Sequence, residues 1–388
     1  MKKFLNILML LLIASCNNSQ QQKQETKFDK ETNAEFIYCE DFFSNLDSPS
    51  NENFDNILDT LKVIKLETTE ASLLGYVVNI KFSNNYIYIS DINNQFMIFD
   101  LNGNYIKSLK KGNGPGEVNY PGNFIFNNYT NELIIFDNNQ IKKYTETGEY
   151  ITSLEMNDFL VDFAALDNGY VLYIAEINNN YKYKAKINFT DFDFNIKKSI
   201  TLDGEYPIMF SKSFYKSNDN ELFMSRFYDY NVYSIKDTTL QIKYKYQLGK
   251  YEYIYDGHIL TVENKYKDNV TDKFITNGIY LDCNNYQYFS FKNDERIGYI
   301  LRNKQTGKMI NPFSYNDEVS KYSFVLNCIY SSTVYNNYMI SLFIPEYFNY
   351  FKSAKKLSPD NKISQEDINK IQSLKEDDNP LIFLFKLK

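Results

Sequence analysis

The chain has 388 residues and a formal charge of −7, since 42 Lys and Arg stand against 49 Asp and Glu. An acidic chain without a basic block excludes a nucleic-acid binder, because phosphate contacts need clustered Lys and Arg. The single His excludes zinc sites built from several histidines, and we expect neither a metal nor a cofactor. The 35 Tyr and 31 Phe, together with recurring Asn pairs, favour an all-β fold.

The first predicted element is a lipoprotein signal peptide at residues 1–15. Lys2 and Lys3 precede the apolar run Phe4–Ala14, which is far shorter than the roughly 20 residues of a membrane span. Small residues just before Cys16 resemble the lipobox of bacterial lipoproteins. By that resemblance, Cys16 becomes the lipidated first residue of the mature chain. An ordinary cleaved signal with a chance Cys is the alternative.

Residues 16–60 are predicted to form a flexible tether after the lipidated Cys. We therefore expect a domain held at the cell envelope by its lipid, extracytoplasmic, with the outer membrane favoured. Removal of the signal takes away two Lys and no acid, so the mature charge is −9. Cys39, Cys283 and Cys328 remain, and free buried thiols are favoured over one disulfide.

A repeat of about 45 residues runs along the rest of the chain. Asp91 and Asp137 follow matching apolar strands, and Gly103 and Gly148 lie 45 residues apart. Each unit is predicted to form four antiparallel strands joined by turns rich in Asn, Asp and Gly, which is the pattern of a propeller blade. Residues 61–388 have room for about six blades. Seven shorter blades and two stacked β-sandwiches are the alternatives.

Two features of the repeat concern its later part. The segments YLDC at 280–283 and VLNC at 325–328 are 45 residues apart and are taken to continue it. The first strand, at 61–67, and the last, at 380–388, are predicted to lie in one blade, because a closed ring leaves no exposed sheet edge.

A polar helical insertion is predicted at about 355–376, inside the last blade. Ser364 is a suitable N-cap with an acid three residues later, and Ile368, Ile371 and Leu374 have helical spacing. The helix either covers a sheet edge or binds a partner.

The chain resembles the bacterial six-bladed β-propeller lipoproteins with NHL-like blades, in the wider TolB-like propeller group. The resemblance covers nearly all of residues 62–388. It depends on the segments 65–82 and 98–118, and more weakly on 228–235 and 377–388. It implies an envelope-anchored propeller of six four-stranded blades with NHL-like, TolB-like character. It implies no reaction, because members of this family largely lack a defined activity.

The most unusual loop lies between two predicted blades. Its candidate ligand-binding residues are Lys111, Gly112, Gly114, Gly116 and Glu117. The glycines permit positive φ angles, and no phosphate-loop pattern follows them. The loop is either a structural crossover or a ligand site at the channel mouth.

Arg226 and Tyr228 are further ligand-binding candidates, which either face the channel or pair with nearby carboxylates. We find no catalytic residues. The favoured function is a non-catalytic binding or scaffold module, a monomeric domain for a glycan, a peptide or a partner protein of the envelope. The alternative is a carboxylate-based hydrolase or lyase at the channel mouth, which needs two Asp or Glu residues at suitable separation.

Overall fold

The structure, a computed structural model, describes residues 25–27, 34–46, 54–177, 183–206, 212–217, 219–253, 272–293, 297–311, 320–326, 334–349 and 351–388. These residues form six sheets, each with four antiparallel strands, and two of the sheets gain a fifth strand. The first strands of consecutive sheets contact one another around a centre. The predicted six-bladed β-propeller is therefore confirmed.

Each of the first three blades follows the chain from the centre outwards. Blade 1 consists of β4 Val77–Phe82, β5 Tyr86–Asp91, β6 Phe96–Asp100 and β7 Tyr105–Ser108. Blade 2 consists of β8 Asn123–Asn127, β9 Glu132–Asp137, β10 Gln140–Thr145 and β11 Tyr150–Glu155. Blade 3 consists of β12 Leu160–Leu166, β13 Gly169–Ile177, β14 Tyr183–Thr190 and β15 Ile196–Tyr206, with β1 Glu25–Lys27 parallel to β15 outside them.

The other three blades complete the ring. Blade 4 consists of β16 Phe214–Lys216, β17 Leu222–Met224, β18 Asn231–Lys236 and β19 Thr239–Gln247, with β2 Glu35–Tyr38 parallel to β19. Blade 5 consists of β20 Ile275–Cys283, β21 Tyr286–Lys292, β22 Ile297–Asn303 and β23 Met309–Ile310. Blade 6 consists of β24 Val334–Tyr335, β25 Tyr338–Phe343, β26 Leu381–Leu387 and β3 Leu58–Lys65.

Short helices join these strands. The α-helices are α1 Glu40–Ser44, α2 Ser323–Leu326, α3 Lys352–Lys355 and α4 Gln365–Gln372, and the 3-10 turns are Phe54–Asn56, Gly249–Tyr251 and Pro345–Asn349.

The hydrophobic core lies between neighbouring blades. Ile80 of blade 1 and Ile340 of blade 6 belong to one buried cluster, whereas Phe96 of blade 1 and Phe124 of blade 2 pack edge to face in the next. Middle strands are covered on both faces by the adjacent blades, which explains their nearly continuous apolar sequences. The outermost strand β11 is exposed along its whole length and is accordingly mixed in polarity.

The repeated Asp residues anchor the crossovers between blades. Asp91 accepts the Gly75 N–H at 2.8 Å, and Asp137 accepts the Tyr120 N–H at the same distance. Both carboxylates are buried at the end of a second strand, where the incoming crossover passes. Asp91 also accepts the Gln95 N–H of its own hairpin and so caps that turn.

Blade 6 closes the ring with strands from both ends of the domain. β26 pairs with β25 on one side and with β3 on the other, from Leu381↔Lys65 to Leu387↔Leu58. The prediction that the first and last strands share a blade is confirmed. The first strand begins at Leu58, three residues before its predicted start.

Helix α4 lies between β25 and β26 in sequence and covers the outer edge of β3. The Ser364 hydroxyl accepts the Asp367 N–H as N-cap, and Ile368 and Ile371 are buried. The Leu61 N–H of β3 donates to the Lys362 carbonyl at 2.8 Å, so the edge finds a partner in the insertion. Of the two interpretations offered for this helix, the structure favours a cover for the sheet edge.

Part of the predicted tether packs against the propeller. Ile37, Cys39 and Phe43 are buried in the core that blades 4, 5 and 6 share. Cys39 and Cys283 are both buried and form no disulfide within the described residues, and burial raises the pKa of Cys39 to about 12. Cys16, Cys328 and the single His258 lie outside the described residues.

Candidate functional site in the central channel

The inner strands enclose a cavity of about 310 Å³ at the propeller centre. Strands β4, β8, β12, β16 and β24 and their hairpins supply its wall. At the crossover end, the chain enters each inner strand from the preceding blade. At the hairpin end, the exposed residues Asn84, Asn128, Asn220 and Asn336 surround the opening. Asn220 and Asn336 have φ angles of 60° and 48°, which Asn tolerates better than most residues.

Amide side chains tie the inner strands together near the crossover end. The Asn79 amide donates to the Gly122 carbonyl, and the Asn123 amide donates to the Val161 carbonyl, each at 3.2 Å. Both amides therefore link their own blade to the next one while lining the cavity. A further polar atom, Oδ1 of Asn79, is buried and has no hydrogen-bond partner among the described residues.

Asp162 occupies the corresponding position in blade 3. Its carboxylate accepts the backbone N–H groups of Ser213 at 2.6 Å, Phe214 at 2.9 Å and Phe163 at 2.8 Å. Burial raises the pKa of Asp162, whereas these donors and the nearby Lys81 oppose that shift. Asp162 thus fixes the start of β16 against β12.

Three lysine side chains line the same cavity. Lys81 lies on β4, Lys216 ends β16, and Lys212 precedes β16. Among the described residues, Lys81 and Lys212 have no hydrogen bond or ion pair for their ammonium groups. The Lys216 ammonium lies 5.6 Å from the centre of the Tyr129 ring, a cation–π distance.

The cavity lowers the basicity of these lysines. Burial lowers the pKa of Lys81, although nearby Asp162 raises it in part. The pKa of Lys212 falls well below its usual range because of burial and the neighbouring Lys81 charge. Burial also lowers the pKa of Lys216. Uncompensated ammonium groups beside a cavity are unusual, because charges removed from water are normally paired.

Lys142 shows the usual arrangement in this propeller. Its ammonium is buried, contacts the Asp137 carboxylate at 2.7 Å and donates to the Glu117 carbonyl at 2.7 Å. This lysine is satisfied within the fold, whereas Lys81 and Lys212 are not paired by the described part of the chain.

The glycine loop is the crossover from β7 to β8, and its own residues make several of its contacts. The Glu117 carboxylate accepts the Gly114 N–H at 2.9 Å and pairs with the Lys110 ammonium. The Lys111 backbone forms an isolated β-bridge with Val118, and its ammonium group donates to the Asn93 carbonyl of the β5–β6 hairpin. The loop belongs to the crossover end, and none of its residues lines the cavity.

Two of the loop glycines are required by its geometry. Gly112 and Gly116 have φ angles of 154° and 75°. A Cβ atom on Gly112 would lie 2.1 Å from the Glu117 carboxylate, and one on Gly116 would lie 2.8 Å from Tyr150. The unusual composition is explained by this turn, and a ligand role for the loop stays a prediction.

Arg226 and Tyr228 are buried outside the cavity wall. The Arg226 guanidinium contacts the Asp229 carboxylate at 2.7 Å, and the Tyr233 hydroxyl donates to the same carboxylate. Tyr228 has a φ angle of 59°, and its N–H donates to the Thr276 carbonyl of blade 5. These contacts join blades 4 and 5 and hold a carboxylate, so a ligand role for these two residues also stays a prediction.

The described wall of the cavity holds one carboxylate, Asp162, and three ammonium groups. A hydrolase of the carboxylate-pair type needs a second acid, and this wall does not supply one. No cluster of His, Cys, Asp or Glu in the described ranges could hold a metal ion. The arrangement is suited to binding through charge and amide hydrogen bonds. Sequence reasoning missed the lysines, although Asn79 and Asn123, 44 residues apart, mark the inner strands that line the channel.

A solved structure supports the fold, and two others are more distantly similar. A Bacteroides fragilis protein described as exported has a TM-score of 0.67 at 16% identity, covering 91% of this chain and 99% of its own. The Neurospora crassa Pan2 WD40 domain has a TM-score of 0.34 at 10% identity, and the match covers 63% of this chain and 67% of that one. The extracellular domain of a Bacteroides thetaiotaomicron protein described as a hybrid two-component system has a TM-score of 0.35 at 11% identity. The match covers 65% of this chain and 29% of that one.

Sequence comparison gives the family. No curated protein matches the chain. Residues 34–386 match the family described as domain of unknown function DUF4934, a range that begins just before β2 and ends in the closing strand β26. The chain therefore belongs to the DUF4934 family.

Proposed function

We propose that this protein is a lipid-anchored, extracytoplasmic binding module that holds a small polar ligand in its central channel without catalysing a reaction. One observation supports the proposal above all others. Polar groups on the inner strands and hairpins of five blades line the cavity, and the Lys81 and Lys212 ammonium groups lack partners among the described residues. Convergent polar groups in a concave site are typical of ligand binding.

The ligand classes considered from the sequence differ in how well they suit this channel. A cavity of about 310 Å³ accommodates a short glycan or the end of a peptide. A folded partner protein would have to contact the rim instead. We therefore favour a glycan or a peptide end in the channel over a scaffold role.

A blocked opening tests the proposed function. Asn84→Trp combined with Asn128→Trp places two indoles at the hairpin end, where both native side chains are exposed. Calorimetric titration of the full chain, purified in detergent, with neutral and acidic saccharides and with dipeptides should show binding that the double variant loses. Gln305→Trp is the control, since Gln305 is exposed on a hairpin of blade 5 away from the cavity. Equal binding by the blocked variant, or no binding by the native chain, would reject the proposal.

Attachment to the envelope is the second part of the proposed function. The lipobox-like residues before Cys16 support lipidation, and the propeller of similar fold from Bacteroides fragilis is described as exported. No helix in the described ranges is long and apolar enough to cross a bilayer. NHL-like and TolB-like character stays a prediction of the sequence.

A single substitution tests the anchor. Cells expressing Cys16→Ser should yield chain without label from an alkyne fatty acid, and the protein should leave the membrane fraction. The Cys39→Ser variant should keep both the label and the membrane location, because Cys39 is buried in the propeller. Label on the Cys16→Ser chain would contradict lipidation at this residue.

A further inference from the structure

The channel has a charge opposite to that of the whole chain. The protein has a formal net charge of −7, yet the cavity wall contains three lysines and one aspartate. Asp162 accepts three backbone N–H groups and makes no ion pair with the lysines among the described residues, so one carboxylate faces three ammonium groups. A cluster of cations with low-dielectric walls attracts an anion from solution.

We propose that the channel binds a small acidic saccharide, whose carboxylate or sulfate accepts hydrogen bonds from Lys81 and Lys212 while its hydroxyl groups contact the exposed amide side chains at the hairpin end. This inference depends on the proposed function of the channel as a binding site. The acid group supplies the partner that both ammonium groups lack among the described residues. Charge-assisted hydrogen bonds of this kind are about twice as strong as neutral ones.

The amide side chains at the hairpin end favour a polyhydroxy ligand over a simple anion. Asn84, Asn128, Asn220 and Asn336 are exposed around the opening, so their amide groups can exchange hydrogen bonds with a ligand. Sulfate ions have no hydrogen to donate, whereas a sugar acid carries several hydroxyl groups.

Aromatic side chains at the hairpin end complete the match. Tyr129 lies beside Lys216 and is half exposed, and Tyr335 stacks on Phe82 with ring centres 4.6 Å apart. All four residues line the cavity. An aromatic face combined with amide groups provides apolar and polar contacts for a sugar ring.

Acid binding should be accompanied by proton uptake. The groups facing Lys212 are the Lys81 ammonium from β4, the Asp162 carboxylate from β12 and the Tyr215 hydroxyl, which contacts the Lys212 carbonyl. An anion beside Lys81 and Lys212 favours their charged forms and returns their lowered pKa values towards the usual range. The heat of binding should therefore depend on the ionisation enthalpy of the buffer, and affinity should fall as pH rises.

Matched sugars test the inference with the full chain in detergent. The probes are D-glucuronate against D-glucose, N-acetylglucosamine 6-sulfate against N-acetylglucosamine, and inorganic sulfate alone, at about 50 mM salt to limit screening. Each acidic sugar is expected to bind about tenfold or more tightly than its neutral parent, as a charged hydrogen bond implies. The acidic sugar should also bind more tightly than inorganic sulfate.

Two triple variants separate the channel from general charge effects. Lys81→Gln, Lys212→Gln and Lys216→Gln together should abolish the acid preference and the proton uptake. The control changes three exposed lysines away from the cavity, namely Lys236→Gln, Lys356→Gln and Lys375→Gln. This control changes the overall charge by the same amount but leaves the cavity wall intact, so it should keep the preference for acidic sugars.

Each contrary outcome has a defined meaning. Neutral and acidic sugars that bind equally, and lose binding when the opening is blocked, would overturn the acid preference but leave the proposed function intact. Inorganic sulfate that binds as tightly as the sugar sulfate would overturn the saccharide assignment. Absence of binding by every saccharide and dipeptide would overturn both proposals.

Discussion

Inner-strand polar residues have two roles in this propeller. Asn79, Asn123 and Asp162 each bond to the backbone at the start of the next inner strand, and each also lines the cavity. A residue that fixes blade spacing therefore also determines the polarity of the channel. Lys81 and Lys212 have no comparable link to the described residues, and the free energy that their charges cost the fold favours a role in binding.

Lys212→Met should stabilise the protein. Removing a half-buried ammonium that has no described partner should raise the free energy of unfolding by about 1 kcal/mol. Lys142→Met is the contrasting control, because it breaks a buried pair with Asp137 and should lower that free energy by about 3–5 kcal/mol. Denaturant titration measures both. Destabilisation by Lys212→Met would show that the ammonium has a structural partner.

The pH dependence of stability gives an independent readout for the same variant. Because the folded-state pKa of Lys212 lies well below the unfolded value of about 10.4, the unfolded chain binds more protons between these two values. This lysine therefore makes stability rise as pH increases through that window. Lys212→Met should flatten this rise, whereas an unchanged slope would contradict a lowered pKa at this residue.

Gly103→Ala should destabilise the contact between blades 6 and 1. Gly103 has a φ angle of 92°, and a Cβ atom there would lie 2.2 Å from the Lys65 carbonyl oxygen. We expect a loss of about 1–3 kcal/mol in the free energy of unfolding. Gly122→Ala is the matched control, since nothing lies within 4 Å of its added Cβ, and it should change stability by less than about 1 kcal/mol. Equal effects of both changes would contradict the steric argument.

At the scale of elements, helix α4 and the insertion around it cover the exposed edge strand β3 of the closing blade. An uncovered β3 would offer free N–H and C=O groups for pairing with another chain. The insertion places the Lys362 carbonyl against the Leu61 N–H and the Lys370 ammonium against the Val63 carbonyl. The helix thereby protects the strand that depends most on ring closure.

Ile371→Ala should loosen this cover. Ile371 is fully buried, so truncation should cost about 2–4 kcal/mol in the free energy of unfolding. The Leu61 amide should also exchange faster with solvent, because its partner lies in the same insertion. Asn369→Ala on the exposed face of α4 should change neither quantity much. Unchanged Leu61 exchange in Ile371→Ala would show that the edge is protected without the helix.

The sequence was most informative where structure is local. Short apolar strands and Asn or Gly turns identified the blades, because hairpins depend on neighbouring residues. The prediction that VLNC at 325–328 continues the repeat was wrong in its described part, since Ser323–Leu326 is helical. The channel could not be predicted in detail, because Lys81 and Lys212 are 131 residues apart and meet only when the ring closes.

At the scale of the whole molecule, closure decides whether the blades form one cooperative unit. Blade 6 takes three strands from the C-terminal region and β3 from the N-terminal region, so its pairing joins residues more than 300 apart in sequence. Contacts of such separation form late, after much chain entropy has been lost. The inner strands of five blades position the channel residues, but only the closed ring fixes blade 1 beside blade 6.

Removal of the closing strand should therefore unfold more than one blade. A chain that ends at residue 379 lacks β26, in which Leu381, Ile382, Phe383 and Phe385 are fully buried. Four such side chains contribute about 6–12 kcal/mol, comparable to the total of about 5–15 kcal/mol for a native domain. We expect loss of the cooperative thermal transition and, because β25 and β3 become exposed edges, association detected by size-exclusion chromatography. A chain lacking residues 1–33 is the control, since its only described element, β1, adds three residues outside blade 3. This control should stay monomeric and cooperative, and a cooperative monomer that ends at residue 379 would contradict ring closure as the basis of stability.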